Sequence, residues 1–214
     1  MKRVTLSFDN GPTVGVTDRV LDLLAERGLT AWFFVLGNRL RAGRALVERA
    51  RREGHLIGNH TLTHTIPLGE RSGPDAVDEI ATTESLLGDL ACPAPVFRPF
   101  GRGGAIGTHL LNAESVGHLC EHGYTVALWN NVPGDWHDER WVEKCLATAD
   151  SQDWSVVVLH DTNGACLDRL AEFLDALKAR DVEFSLELPP SVTPIVAGRV
   201  IAPSPDWMPD AVLA

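Results

Sequence analysis

An acid and an amide, Asp9 and Asn10, stand where the apolar stretch Val4-Thr5-Leu6-Ser7-Phe8 runs into Gly11-Pro12. Gly and Pro stop a strand abruptly, so both polar side chains are displayed at its C-terminal tip. A carboxylate and a carboxamide placed there can act as base and metal ligand, or simply as turn formers. Further along, His60-Thr61-Leu62-Thr63-His64 spaces two imidazoles so that, on a helical turn, they share a face. They could then hold one divalent ion through nitrogen, given a third ligand such as Asn10 or Asp9. Without one, they are surface or capping histidines. Phe97-Arg98-Pro99-Phe100-Gly101-Arg102-Gly103-Gly104 sets an arginine before a glycine-rich loop. That arrangement can steer a carboxylate and aim backbone N–H groups at an oxyanion, or make a structural salt bridge. It lacks the G-x-x-x-x-G-K-[ST] spacing of a nucleotide loop. His160 ends the apolar run Val156-Val157-Val158-Leu159, where an acid such as Asp135 nearby could hold it protonated as a general acid, or it is simply a histidine hydrogen-bonded at the core edge. Strand alternation puts Val158 on the side of His160, so Val158 and Trp136 can floor a small apolar pocket. His55, His109, His118, His122 and His137 lack such context and are expected to be structural or exposed.

These residues share a position. The pattern predicts strands at Val4–Phe8, Ala31–Leu36, Leu56–Gly58, Val96–Arg98, Thr125–Trp129, Ser155–His160 and Glu183–Leu186. Asp9 follows the first, the histidine pair the third, Arg98 ends the fourth, Asp135 and Trp136 follow the fifth, and His160 ends the sixth. Amphipathic helices are predicted between them at Thr17–Arg27, Arg39–Arg52, Asp75–Leu90, His109–His122, Arg140–Ala149 and Cys166–Arg180. A repeating βα order implies a parallel sheet with right-handed crossovers, whose strand C-termini form the edge where active sites are built. Period alone leaves an open doubly wound sheet and a closed barrel as alternatives.

At 214 residues and 44% hydrophobic the chain fits one large domain with a full core. Nineteen basic against 29 acidic residues, net −10, argue against nucleic acid or an anionic membrane as partner. The basic helix Arg39–Arg52 also carries Glu48 and reads as a solvated face. Cys92, Cys120, Cys145 and Cys166 are scattered, and reduced thiols are expected. Met1-Lys2-Arg3 opens directly onto the first strand, and no run is long enough to cross a bilayer, so a cytoplasmic protein is expected. Residues 189–214 hold six prolines together with Ile195, Val196, Val200, Ile201, Trp207 and Met208. This extension is expected to pack over the domain rather than stay unfolded.

Taken together, the segments resemble the polysaccharide deacetylase family, carbohydrate esterase family 4, defined by the NodB homology domain. Ser7 to Pro12 is similar to its T-F-D-D-G-P, and His60 to His64 to its H-[ST]-x-x-H. Phe97 to Gly101 is similar to its arginine-proline motif, Asp135-Trp136 to its D-W, and Val158 to Asp161 to its L-x-H-D. The resemblance spans roughly residues 3 to 188. It implies an α/β fold, an irregular (β/α)7 barrel of parallel strands related to the TIM barrel, with residues 1–188 as its domain. It further implies metal-dependent removal of an N-acetyl group from an amino-sugar glycan or sugar conjugate. His60, His64 and Asn10 would hold the divalent ion, zinc in the first place, with cobalt, manganese or nickel as alternatives. Asp9 would be the base, kept ionised by Arg98, and His160, tuned by Asp135, the acid. The Phe100 N–H would meet the oxyanion, and Trp136 and Val158 the acyl methyl. The expected cytoplasmic location points to an oligosaccharide, nucleotide-sugar or lipid-linked precursor as substrate.

Two positions depart from the family pattern. Its usual metal-binding Asp is Asn10 and its usual motif leucine is Val158. An amide oxygen ligates without bringing charge, so metal affinity is expected to fall. Asn also occurs here in some branches of the family, including muramic-acid-type deacetylases. The alternatives are a C–N hydrolase of another amide or cyclic imide, and a catalytically silent carbohydrate binder. A silent binder would need none of Asp9, Arg98, Asp135 and His160.

Overall fold

The computed structural model describes residues 1–209; the last five residues of the expected C-terminal extension lie outside them. The strands are β1 (Lys2–Asp9), β2 (Trp32–Val35), β3 (Leu56–Asn59), β4 (Val96–Phe97), β5 (Thr125–Val126), β6 (Trp154–His160) and β7 (Val182–Phe184). All pair in parallel, in the order β5-β4-β3-β2-β1-β6, with β7 beside the start of β1. The chain beyond β5 then crosses to β6: Asn131 donates to the Val156 carbonyl and accepts from the Val158 N–H. That single bridge brings the last strands together, and the sheet curls into an irregular barrel. The expectation of a parallel α/β barrel of seven strands holds.

Side-chain alternation explains the curl. Val4, Leu6 and Phe8 of β1 and Val157 and Leu159 of β6 point outward into a core shared with the helices. Those helices are α1 (Thr17–Ala25), α2 (Leu40–Arg52), α5 (Trp141–Ser151) and α6 (Leu167–Lys178). Thr5, Ser7 and Asp9 therefore point the other way, into the barrel, and all three are buried. Two further helices, α3 (Gly73–Leu87) and α4 (Ala113–Glu121), pack on one another at the remaining side. Here capping chemistry moves two expected helix starts. Ser72 accepts from the Asp75 N–H, with Pro74 in the first turn, so α3 begins at Gly73. Asn112 and Ser115 make a reciprocal capping box, so α4 starts four residues later than its apolar pattern suggests.

In the proline-rich segment after β7, a short antiparallel pair (Ile195–Val196 with Arg199–Val200) lies beside β5. Val192, Ile195, Trp207 and Met208 are buried against Leu110, Val126 and Leu128, whereas Val200 and Ile201 are exposed. All four cysteines are free thiols. Among the described residues no helix is long and apolar enough to cross a membrane.

Candidate active site

The barrel interior is organised around one arginine. Arg98 leaves the end of β4, fully buried, and its Nη1 donates to Asp9 Oδ1 (2.8 Å) and Ser7 Oγ (2.6 Å). Its Nε and Nη2 donate to the carbonyls of Ala127 and Leu128. Its face lies 3.9 Å from the centroid of Phe34, an inward residue of β2. The Ser7 hydroxyl donates to the Val157 carbonyl at 2.6 Å, which leaves its oxygen free to accept from Arg98. Burial would raise the Asp9 pKa, but the Arg98 charge, with smaller help from His60 and His160, holds it below the usual carboxylate value. Arg98 thus fixes one Asp9 oxygen and leaves the other, Oδ2, facing His60 Nε2 at 3.7 Å.

The two histidines differ from the expected helical pair. They sit in an irregular loop after β3, where Thr61 (φ 73°) and His64 (φ 55°) adopt the left-handed region. With Asn10 (φ 73°), three of the four non-glycine residues of positive φ among the described residues flank or form this site. The loop nonetheless brings the imidazoles together, ring centroids 5.0 Å apart, and His64 stacks on Phe100 at 3.9 Å. His60 Nδ1 hydrogen-bonds the Arg98 carbonyl at 2.8 Å, which directs Nε2 into the cavity. Burial lowers the pKa of both rings, that of His64 to about 3, so both are neutral and their free nitrogens carry lone pairs. Asn10 Oδ1 is buried without a hydrogen-bond partner, an orphaned acceptor at the wall that His60 and His64 also line. Two neutral imidazoles and one unsatisfied amide oxygen suit a borderline divalent cation such as zinc or cobalt. Among the described residues no three His, Cys, Asp or Glu side chains converge on a metal position.

Across the cavity, Asp135 takes the His160 backbone N–H on Oδ2 and meets its ring Nδ1 with Oδ1, each at 2.8 Å. Burial pulls the His160 pKa down, but the Asp135 hydrogen bond and charge outweigh it and the net shift is upward. Trp136 packs edge-on to His160 at 4.7 Å while keeping 38% of its surface exposed. The cavity encloses about 380 Å³ and is lined by Asp9, Asn10, His60, His64, Phe100, Trp136, Val158 and His160. Arg98 and Asp135, the other two residues singled out in the sequence, stand behind Asp9 and His160. Phe100 lines the cavity, and its backbone N–H makes no hydrogen bond among the described residues. Of the histidines expected to be structural, His55 is buried and accepts from the Ala31 N–H, which fixes the strand entry.

Sequence reasoning missed three supports. Ser7 was legible only through its parity with Asp9 on β1. Asp161 is buried beneath the turn, where burial raises its pKa to about 7 and the Thr17 hydroxyl donates to it at 2.6 Å. It packs so closely on Gly11 that an added Cβ there would lie 2.0 Å from its Oδ2. Glu79, on α3, braces the histidine loop. Nothing in its local sequence marks it.

The sequence profile of the polysaccharide deacetylase family matches residues 1–125. A chitooligosaccharide deacetylase from Rhizobium leguminosarum bv. trifolii is 34% identical over 164 residues, 75% of this chain and 72% of the relative. The peptidoglycan-N-acetylglucosamine deacetylase PgdA of Listeria monocytogenes is 29% identical over 186 residues, 86% of this chain but 37% of that protein's length. In three dimensions, a family 4 acetyl xylan esterase from Clostridium thermocellum in complex with a cobalt ion superposes with a TM-score of 0.68. It shares 26% identity, with 86% of this chain and 87% of that one covered.

Proposed function

The chain belongs to the polysaccharide deacetylase family, and from that membership we propose that it removes N-acetyl groups from glycans containing N-acetylglucosamine. The observation that carries the reading is the placement of a charge-held carboxylate, Asp9, and a carboxylate-tethered imidazole, His160, on one cavity with two neutral histidines. That is the division of labour amide hydrolysis requires: a base for water, an acid for the departing nitrogen, and lone-pair donors that would hold a cation whose charge meets the oxyanion.

His60, His64 and Asn10 would hold a divalent ion, which supplies Lewis-acid charge where the carbonyl and the attacking water meet. Asp9 takes the water proton on Oδ2, the oxygen that Arg98 leaves free. The water oxygen bonds to the amide carbon as this proton leaves, and the Phe100 N–H donates to the oxyanion that results. His160 delivers a proton from Nε2 to the sugar amine, because its Nδ1 is tied to Asp135. The C–N bond then breaks to give acetic acid and the free amine; the proton taken by Asp9 restores His160, and the acid proton passes to the amine, leaving acetate and an ammonium group. Trp136 and Val158 receive the acetyl methyl, and the exposed part of Trp136 offers a stacking face to the sugar ring.

Acetate release from N-acetyl-chitooligosaccharides and from peptidoglycan fragments tests the reading. Turnover is expected with zinc or cobalt supplied, and loss of turnover with chelation and with Asp9→Ala. Tight sugar binding with neither metal uptake nor acetate release would replace it with a carbohydrate-binding role. Turnover of small imides but of no sugar would move it to another C–N substrate.

A further inference from the structure

The histidine loop carries two residues in a sparsely populated backbone conformation, Thr61 and His64. Such a loop holds its shape only where the surroundings fix it. Its carbonyls are met from the segment after β2: Gly37 N–H donates to Thr61 O, and Asn38 N–H to Leu62 O, each at 3.0 Å. The Thr61 N–H is taken by Asn59 Oδ1. The two N–H groups in the middle of the loop have one partner, Glu79.

Glu79 is 5% exposed and reaches the loop from α3. Its Oε2 accepts from the Leu62 N–H at 2.9 Å and the Thr63 N–H at 2.8 Å. Its Oε1 accepts the Thr63 hydroxyl at 2.6 Å and meets Arg71 Nη2 at 2.9 Å. Arg71 also donates to the Ile66 carbonyl and the Thr65 hydroxyl, closing the far end of the loop. A buried carboxylate with four donors on two oxygens is saturated, and a shorter or neutral side chain leaves donors without an acceptor. The geometry points to Glu79 as the positioning residue that sets the His60–His64 separation and lays His64 on Phe100. Its action is on the loop backbone; it does not line the cavity.

This inference builds on the proposed metal site, and the experiment separates the two. Glu79→Gln keeps the length but turns two donor-accepting lone pairs into an amide N–H₂ facing donors. In metal-free protein, two-dimensional NMR of the histidine rings reads the stacking of His64 on Phe100 as a ring-current shift. Titration with zinc or cobalt reads affinity. Glu79→Gln is expected to lose most of the His64 ring-current shift and to bind metal about 10- to 100-fold more weakly. Thr63→Val, which removes one of the four donors, should move both in the same direction by less, and it keeps the test open if Glu79→Gln folds poorly. The control is Leu177→Ala, a buried cavity variant at the far end of α6, which should lower the melting temperature while leaving the shift and the affinity unchanged. An unaltered His64 shift in Glu79→Gln, or an equal change in the control, overturns the role of Glu79. If the wild-type protein itself binds no metal, the proposed function loses its metal site, and the NMR arm still decides what Glu79 does.

Discussion

Asp9 and His160 are register partners on adjacent parallel strands, the last paired positions of β1 and β6. The residues proposed as base and acid therefore start from neighbouring backbone positions on one edge, and each charge favours the other. What separates their duties is the second group behind each, Arg98 for the carboxylate and Asp135 for the imidazole.

Asp135→Asn removes the group that raises the His160 pKa. The alkaline limb of the kcat/KM profile is expected to move to lower pH, and activity at neutral pH to fall by about 10²–10⁴. Stability has its own sign. A raised folded pKa means that the pair stabilises fully below the ordinary imidazole value of 6.5 and loses that contribution as pH rises through the folded value. Urea midpoints measured across pH should show this dependence in the wild type and lose it in Asp135→Asn.

Arg98→Met leaves Asp9 buried without its counter-charge. Breaking a buried pair from one side costs about 3–5 kcal/mol, and the orphaned Ser7 and carbonyl acceptors add to it. Arg98→Met/Asp9→Asn should recover part of that loss in denaturant unfolding while remaining inactive. A double variant no more stable than the single would contradict a charge-based account.

Asn10→Asp supplies the negative charge that the proposed donor set lacks. Aspartate tolerates the left-handed backbone that Asn10 adopts, so the change carries little conformational cost. Metal affinity is expected to rise at least tenfold, about 1.4 kcal/mol, read by competition titration with a chromophoric chelator. Equal affinity in the two proteins would mean that position 10 is not a ligand.

Gly11→Ala tests the floor of the turn. Its new Cβ would lie 2.0 Å from Asp161 Oδ2, so either the turn or the carboxylate must shift. A loss of about 1–3 kcal/mol is expected, together with weaker metal binding as Asn10 moves. Gly11→Ala/Asp161→Ala should restore part of both, and a melting series with the two singles measures the coupling.

Much was legible in the chain because the relevant physics is local. Alternation in Val4-Thr5-Leu6-Ser7-Phe8-Asp9 and in Val156 to His160 set strand identity and which side chains share a face. Gly11-Pro12 and the other strand ends placed Asp9, Arg98, Asp135 and His160 on one edge of a parallel fold. Helix starts were less legible, since the caps at Ser72 and Asn112 depend on side-chain hydrogen bonds that apolar periodicity does not report.

Tertiary structure alone decided the rest, because it depends on contacts between residues far apart in the chain. Curling of the sheet, sealed by the bridge from Asn131, beyond β5, to Val157 of β6, is what brings Arg98 from β4 to Asp9 on β1. The histidines meet through a strained loop rather than a helical turn, held by Gly37, Asn38 and Glu79 from two other segments. The sequence by itself determined on which edge of the sheet the candidate residues stand. Only the closed barrel decided that Ser7, Glu79 and Asp161 support them, since burying Arg98, the loop N–H groups and the Gly11 turn requires partners that no local pattern names.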